Sequence, residues 1–270
     1  MSNVVHSDNK LRWFRAAGII TTNRIDSLIQ LTPKKDFARI DELQWRLGYN
    51  WYFAGDYIKA LPILEEVCLG GKSKSNVVET GESEEDYVLD SRHKVHATAA
   101  RCCLCLYKQT GAHYHLENAY GHYKNSIRTL AADISAMFLL PRLLFEFGHM
   151  LEHYGSFEAA LELYGSIMTK YPNFWGYFDV MYRVSVVGHH IASLMPLGKP
   201  RAKILNKSID MLHFLLEGLP PSIHGHHAIL CYGRSLSISE DPAIRFRAMG
   251  TYQAMYDWAK GQIRYMEHAD

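Results

Sequence analysis

Two segments of this chain align with each other without a gap. The first covers residues 47–67 and reads LGYNWYFAGDYIKALPILEEV, and the second covers residues 147–167 and reads FGHMLEHYGSFEAALELYGSI. An internal repeat of this kind predicts an array of one structural unit, because each copy has to bury the same apolar face against its neighbour. Identical residues at matching positions include three pairs of small residues, which are Gly48 and Gly148, Gly55 and Gly155, and Ala60 and Ala160.

The shared glycines and their successors predict a helix–turn–helix in each copy. Gly55 and Gly155 are suited to end the first helix, because the left-handed conformation of a helix end is favourable chiefly for glycine. Asp56 and Ser156 follow them, and their side-chain oxygens predict the N-caps of the second helix. Apolar residues recur at steps of three and four on both sides of the turn, as expected for amphipathic helices.

Small residues predict close contact between the two helices of each pair. Gly48 and Gly148 lack a side chain, and Ala60 and Ala160 face them from the second helix, so the helix axes can approach each other. Pro172 predicts the end of the second copy, because proline cannot continue a helix, and the following Asn173 is suited to cap the next one.

The repeated pattern resembles the tetratricopeptide repeat, a helix pair with the pattern W-x2-L-G-x2-Y, then A-x3-F, then P. The match is good over residues 147–172 and nearly as good over residues 47–67. The tryptophan position departs from the pattern, with Gln44 in one copy and Leu144 in the other. The resemblance implies an all-α fold, a right-handed α-α superhelix or solenoid, and a concave face that binds other proteins.

We predict one helical-repeat domain over residues 1–270, since stacked repeats need no boundary between them. The predicted parts are N-terminal helices over 1–37, a clear repeat over 38–68, a mobile insertion over 69–90, a degenerate pair over 91–132, a clear repeat over 139–172, and degenerate pairs with a capping helix over 173–270. The insertion is predicted from its glycine, serine and acidic residues.

Charge and hydropathy exclude two classes of partner. The chain carries 29 basic and 28 acidic residues, so we expect no nucleic acid partner, since binding to phosphate backbones usually needs a basic excess. No apolar run approaches the ~20 residues that a membrane helix needs, so we expect no membrane insertion. The first residues lack a signal-peptide pattern, and a soluble cytoplasmic protein is the expectation.

One short motif suggests an enzyme instead. Residues 149–153 read HMLEH, and H-x-x-E-H is the zinc signature of a class of peptidases. His149, Glu152 and His153 therefore give the alternative hypothesis of a metal-dependent hydrolase. The repeat accounts for more of the surrounding residues than the motif does, and we predict a protein that is not an enzyme.

Other histidine and cysteine clusters are interpreted as structural. HGHH at residues 224–227 and GHH at residues 188–190 are compatible with transition-metal ligands, but a chain with 15 histidines has such clusters by chance. CCLC at residues 102–105 lacks the second cysteine pair of a zinc site, which favours buried helix residues. The sequence thus predicts no cofactor and no metal.

The resemblance also implies which residues face the partner in the concave groove. The favoured partner is a peptide or helix of another protein, and the predicted role is a non-catalytic scaffold that helps to assemble a larger complex. Aromatic residues at helical spacing are also typical of a core, so that role stays open for them. The groove residues implied by the resemblance are Trp45, Tyr49, Tyr52, Phe53, Arg142, Phe145, His149, Glu152 and His153.

A well-known binding mode of this family is not expected here. That mode clamps the C-terminal carboxylate of heat-shock chaperones with lysine and asparagine residues. The matching positions hold Trp45, Tyr49, Phe145 and His149, and none of these is lysine or asparagine. A helical regulatory domain that binds a small ligand is a further hypothesis, for which the sequence offers no specific motif.

Overall fold

The described part of the chain is built from helices. The computed structural model describes residues 21–33, 37–73, 92–131, 134–218 and 223–267, and no strand occurs within these ranges. A 3₁₀ helix, Ile134–Leu139, precedes α6. The helices are α1 over residues 21–31, α2 Phe37–Phe53, α3 Tyr57–Ser73, α4 Arg92–Thr110, α5 Tyr114–Ala131, α6 Leu140–His153, α7 Phe157–Lys170, α8 Tyr177–Leu194, α9 Lys199–Gly218, α10 Ile223–Ser237 and α11 Pro242–Glu267.

Helix bounds agree closely with the repeat pattern. Helices α2 and α3 form the first clear repeat, and α6 and α7 form the second. Helix α3 continues to Ser73, into the predicted insertion over 69–90, and the remainder of that insertion lies outside the described residues, as do residues 1–20. None of the described helices combines the length and the apolar character that crossing a membrane requires.

The turns of the two clear repeats have the same hydrogen bonds. Gly55 has φ 80° and Gly155 has φ 81°, as the glycine pattern predicts. The Gly55 N–H donates to the Tyr52 carbonyl and the Asp56 N–H donates to the Trp51 carbonyl, each at 3.0 Å. The second repeat has the equivalent pair of bonds around Gly155. This is the Schellman arrangement, which satisfies the last carbonyls of the first helix while the chain reverses.

The predicted caps differ between the two repeats. The Asp56 carboxylate accepts a hydrogen bond from the Lys59 N–H at 3.2 Å, so this N-cap is confirmed. The Ser156 side chain makes no capping hydrogen bond, and that prediction is wrong. Ser156 has φ −88° and ψ 64°, which lies outside the extended conformation from which a cap side chain reaches the helix. The predicted cap at Asn173 is also wrong, because α8 begins later, after Gly176.

Close packing within each clear repeat depends on a glycine. A Cβ atom at Gly48 would lie 2.8 Å from the Leu64 side chain, and one at Gly148 would lie 2.5 Å from the Tyr164 ring. Leu64 and Tyr164 are fully buried. The predicted close approach of the paired helices is therefore confirmed, and each glycine makes room for one large side chain from the partner helix.

The described helices cluster into two compact units, Met1–Leu143 and Leu144–Asp270. In the first unit each of α2 to α5 packs on the next, and α2 also contacts α4. In the second unit each of α7 to α11 packs on the next, and α8 also contacts α10. Contact with the next helix and with the next but one is the packing expected of stacked helix pairs. The single domain over 1–270 stays a prediction.

Candidate functional site

Helix α2 presents a row of aromatic side chains that is not part of the core. Trp45, Tyr49 and Phe53 are four residues apart, and their ring centroids lie 5.9 and 4.6 Å from each other. Tyr52 lies beside Phe53, with ring centroids 5.4 Å apart. Tyr49 is 36% exposed and Phe53 is 64% exposed, whereas Leu47 on another face of the helix is buried. Tyr49 and Phe53 thus form an exposed aromatic surface.

A cavity of about 320 Å³ opens beside this row within the first unit. Trp45 and Tyr49 from α2 line it together with Arg142 from the start of α6, so three of the predicted groove residues meet at one place. Helices α4 and α5 supply the other walls. The described lining residues are Trp45, Tyr49, His93, Lys94, Ala97, Thr98, Arg101, Ser126, Leu130, Leu139, Arg142 and Leu143.

The lining of this cavity combines apolar and cationic groups. Lys94, Arg101 and Arg142 are on its walls, and no carboxylate is among its described lining residues. The Trp45 Nε1–H is buried and has no hydrogen-bond partner among the described residues. Buried indole N–H groups usually find an acceptor, so this cavity offers a donor and a positive wall to an incoming group.

Residues of α4 and α5 in the cavity were missed by sequence reasoning. Lys94, Ala97, Thr98 and Arg101 are spaced by three and four residues, which places them on one face of α4. That spacing is a usable signal, but α4 contains no glycine equivalent to Gly48 or Gly148, which would distinguish its inner face from its outer face. Ser126 of α5 donates to the His93 carbonyl at 2.6 Å and fixes α5 against α4 at the cavity wall.

The remaining predicted groove residues lie in the second unit. Phe145 packs beside Tyr164, with ring centroids 5.8 Å apart. His149 and His153 are one turn apart on α6, and their rings meet edge to face with centroids 4.9 Å apart. A partner-binding role for these residues stays a prediction.

Glu152 is held in a polar network inside the second unit. Its carboxylate accepts hydrogen bonds from the Tyr164 hydroxyl at 2.5 Å and from Arg183 Nε at 2.9 Å, and it pairs with the second Arg183 nitrogen as well. Burial, with the adjacent Glu152 charge, raises the pKa of Tyr164 far above its ordinary value, so the phenol remains a donor. Both carboxylate oxygens of Glu152 are therefore engaged in contacts that hold neighbouring helices together.

The HMLEH motif does not assemble a metal site. A zinc peptidase needs its glutamate free to act on a bound water, whereas Glu152 is held by Arg183 and Tyr164. Within the described ranges, three or more potential metal-ligand atoms come together only at Cys68, His96 and His122. The hydrolase hypothesis is not supported.

The GHH and CCLC clusters have structural surroundings, whereas the side chains of residues 224–226 in HGHH lie outside those that the structure describes. His189 Nδ1 lies 3.1 Å from the Ser235 hydroxyl, and the His190 ring packs on Phe157 with centroids 4.1 Å apart. Cys102 and Cys103 are fully buried. Burial also raises the pKa of the Cys103 thiol to about 12, which makes it unreactive near neutral pH.

Comparison with solved structures identifies the fold. A Podosopora anserina protein described as kinesin light chain, with nearly identical TPR-like repeats, superposes with a TM-score of 0.53 at 11% identity, over 82% of this chain and 97% of that one. A single-substitution form of that protein superposes with a TM-score of 0.56 at 11% identity, over 83% of this chain and 97% of that one. This chain has a tetratricopeptide-like repeat fold. No protein-family model matches the chain, and no curated protein matches it significantly.

The tetratricopeptide-like fold confirms the predicted all-α helical-repeat class. It agrees with the neighbour-to-neighbour packing of the helices in each unit and with the two Schellman turns. At 11% sequence identity, the similarity to these structures shows the fold and gives no information about function. The role of this tetratricopeptide-like protein therefore has to be argued from its own surfaces.

Proposed function

We propose that this protein is a non-catalytic scaffold that binds a segment of another protein beside α2 and helps to assemble a larger complex. The observation that carries the proposal is the cavity of about 320 Å³ next to the exposed aromatic row of α2. Binding energy at protein interfaces concentrates in a few aromatic anchors and the pockets beside them. Helical-repeat folds commonly supply such surfaces.

The partner segment that fits this surface is an amphipathic helix or an extended peptide. One apolar side chain of the partner enters the cavity, while its neighbours pack on Tyr49 and Phe53. An acceptor oxygen of the partner meets the buried Trp45 N–H, which removes the cost of leaving that donor unpaired.

Charge at the cavity favours an acidic partner segment. Lys94, Arg101 and Arg142 are on the walls, and a carboxylate placed among them gains a favourable electrostatic interaction with these three cations. This differs from the chaperone carboxylate clamp, because the basic residues come from α4 and α6 instead of the lysine and asparagine positions of that clamp. The predicted contacts of Phe145, His149, Glu152 and His153 are not needed for this mode of binding.

The test is a quantitative pull-down from native lysate with matched baits. The baits are the wild-type chain, the groove variant Tyr49→Ala/Phe53→Ala and the control Phe246→Ala, whose side chain is 74% exposed on α11 in the other unit. All three should melt at similar temperatures, since each change removes exposed aromatic surface. A partner that is lost with the groove variant and kept by the control supports the proposal.

The charge argument has its own test on the partner that the pull-down captures. Lys94→Glu/Arg101→Glu should weaken binding, and binding of the wild type should fall as the salt concentration rises, because the contact is between opposite charges. If all baits retain the same partners, the groove beside α2 is not the working surface. If charge reversal leaves the captured partner bound, the charge argument fails.

A further inference from the structure

Three helices of the first unit bring one thiol and two imidazoles together. Cys68 lies on α3, His96 on α4 and His122 on α5, and their potential ligand atoms all lie within 4.8 Å of one another. Cys68 Sγ is 3.3 Å from His96 Nδ1, and His96 Nδ1 is 3.1 Å from His122 Nδ1. All three residues are half-buried. These three residues are distant from one another in sequence, so no local motif predicts the cluster.

The spacing of these atoms is close to that of a tetrahedral zinc site. Zinc binds thiolate sulfur at ~2.3 Å and imidazole nitrogen at ~2.0–2.1 Å, which sets the ligand atoms roughly 3.4 Å apart for two nitrogens and roughly 3.6 Å apart for sulfur and nitrogen. The observed 3.1 and 3.3 Å fall within about 0.3 Å of those values. The ligand atoms of the third pair, Cys68 and His122, lie within 4.8 Å of each other, so side-chain rotations are needed to bring all three atoms around one ion.

The carboxylate of Glu65 lies next to one of the imidazoles. Glu65 Oε1 lies 3.8 Å from Nε2 of His122, the ring nitrogen that does not face His96. Histidine ligands of zinc commonly donate this second N–H to a carboxylate, which fixes the tautomer and makes the ligating nitrogen more basic. Glu65 is one helical turn before Cys68 on α3, so the same helix supplies the thiol and the orienting carboxylate.

Burial shifts the pKa values of all three side chains in this cluster. Burial, with the neighbouring His122 and the cations Arg92 and Arg128, lowers the pKa of His96 to about 4, and burial also lowers the pKa of His122. Both shifts favour the neutral imidazole, which is the form that ligates metals. Burial, with the charge of Glu65, raises the pKa of the Cys68 thiol to about 12, so ligation has to displace that proton.

We propose that Cys68, His96 and His122 form a zinc-binding site that ties α3, α4 and α5 together. One sulfur and two nitrogens suit zinc and disfavour calcium and magnesium, which prefer oxygen ligands. Binding transfers the Cys68 proton to solvent and leaves a thiolate and two neutral imidazoles on Zn²⁺. A water molecule completes the four-coordinate ion. The sequence alone predicted no metal, because the ligands are contributed singly by three helices.

The test is metal binding by the full-length chain without an affinity tag, since a histidine tag binds zinc itself. After chelator treatment, titration with Zn²⁺ should show one ion per chain and raise the melting temperature, as expected for a ligand that binds only the folded state. Co²⁺ in the same site should show the visible d–d bands of a tetrahedral ion and a thiolate-to-metal charge-transfer band in the near ultraviolet.

Matched variants separate this site from other ligands. Cys68→Ser and His96→Ala should each abolish the charge-transfer band and the thermal shift. Cys105→Ser removes a half-buried thiol outside the cluster, and His113→Ala removes an exposed imidazole outside it, so both should keep the site. His122→Gln is the third ligand variant, for use if a substitution on α3 or α4 prevents folding.

Three results would overturn the proposal. The first is the absence of a stoichiometric zinc ion in the wild type. The second is zinc binding that is as tight in the Cys68→Ser and His122→Gln variants as in the wild type. The third is cobalt binding without a charge-transfer band, which would mean that the thiol is not a ligand.

Discussion

Arg183 on α8 holds Glu152 on α6 through two nitrogens, with Arg183 Nε 2.9 Å from the carboxylate. The Glu152 side chain is only 9% exposed, so the pair is largely removed from water. The Tyr164 hydroxyl from α7 donates to the same carboxylate. Three successive helices of the second unit are thereby joined at one charged group, which explains why the glutamate of HMLEH has a structural environment.

Removing only one member of this ion pair should strongly destabilise the second unit. Glu152→Met leaves the Arg183 guanidinium half-buried without its counter-charge, and we expect a loss of about 3 kcal/mol in the free energy of unfolding. Chemical denaturation followed by circular dichroism measures it. Glu152→Met/Arg183→Met should lose less than Glu152→Met alone, because no uncompensated charge remains. A double variant as unstable as the sum of the single changes would contradict this explanation.

An exposed ion pair provides the comparison. Glu42 contacts Arg39 and Arg46 on the surface of α2, at 2.8 and 2.5 Å. Glu42→Gln should cost less than about 1 kcal/mol, since exposed pairs are screened by solvent. If Glu42→Gln lowers the free energy of unfolding as much as Glu152→Met does, burial does not determine how much an ion pair contributes to stability.

Gly148→Ala should destabilise the second repeat, because the added Cβ would lie 2.5 Å from the Tyr164 ring. The ring is fully buried, so it has little room to move, and we expect a loss of about 2 kcal/mol, as in other overpacked cores. Gly165→Ala on α7 is the control, since nothing lies within 4 Å of the added atom. That change should stabilise the helix by about 0.5 kcal/mol. Melting temperatures that fall equally for both variants would exclude steric crowding as the cause.

The helix pairs were predictable because their signals are local. Gly55 and Gly155 determine their turns through hydrogen bonds that span only a few residues, and Gly48 and Gly148 mark the close contact within each pair. Such features depend on neighbouring residues, which a sequence pattern displays directly. The two clear repeats therefore fold as helix pairs where the pattern predicts them, except that α3 continues to Ser73, into the predicted insertion.

The sites were less predictable because they join separate helices. Lys94 and Arg101 line the cavity from α4, which lacks the glycine that marks the paired face of the first helix in the two clear repeats. Cys68, His96 and His122 each occupy a different helix, and their spacing along the chain matches no metal-binding motif. The wrong cap at Ser156 has a similar origin, since residue type alone does not determine the φ and ψ angles of the turn.

The two caps at matching positions should respond differently to alanine. Asp56→Ala removes the bond to the Lys59 N–H and should cost about 1 kcal/mol. Ser156→Ala removes no capping bond and should change stability by less than about 0.5 kcal/mol. Because Asp56 also pairs with the Lys59 side chain at 3.0 Å, Asp56→Asn separates the two contributions by keeping the cap and removing the charge. Equal losses for Asp56→Ala and Ser156→Ala would contradict the assignment.

Acid should destabilise the second unit through His189. Burial, with the nearby Arg234 on α10 and with His190, lowers the pKa of His189 in the folded chain, while the unfolded chain keeps a value near 6.5. Below that value the unfolded state binds the proton more readily, so this contribution to stability is present at neutral pH and is lost as the pH falls. Protonation also leaves Nδ1, which lies 3.1 Å from the Ser235 hydroxyl, able only to donate a hydrogen bond.

The measurement for His189 is the free energy of unfolding between pH 7 and pH 5 for the wild type and for His189→Gln. The glutamine can still hydrogen-bond Ser235 but does not titrate, so the variant should lose less stability over this range. His113→Gln is the control, because His113 is an exposed imidazole of the first unit and does not contribute to the pKa shift of His189. If His189→Gln and the wild type lose stability in parallel, the titration of His189 does not contribute to the acid sensitivity of the fold.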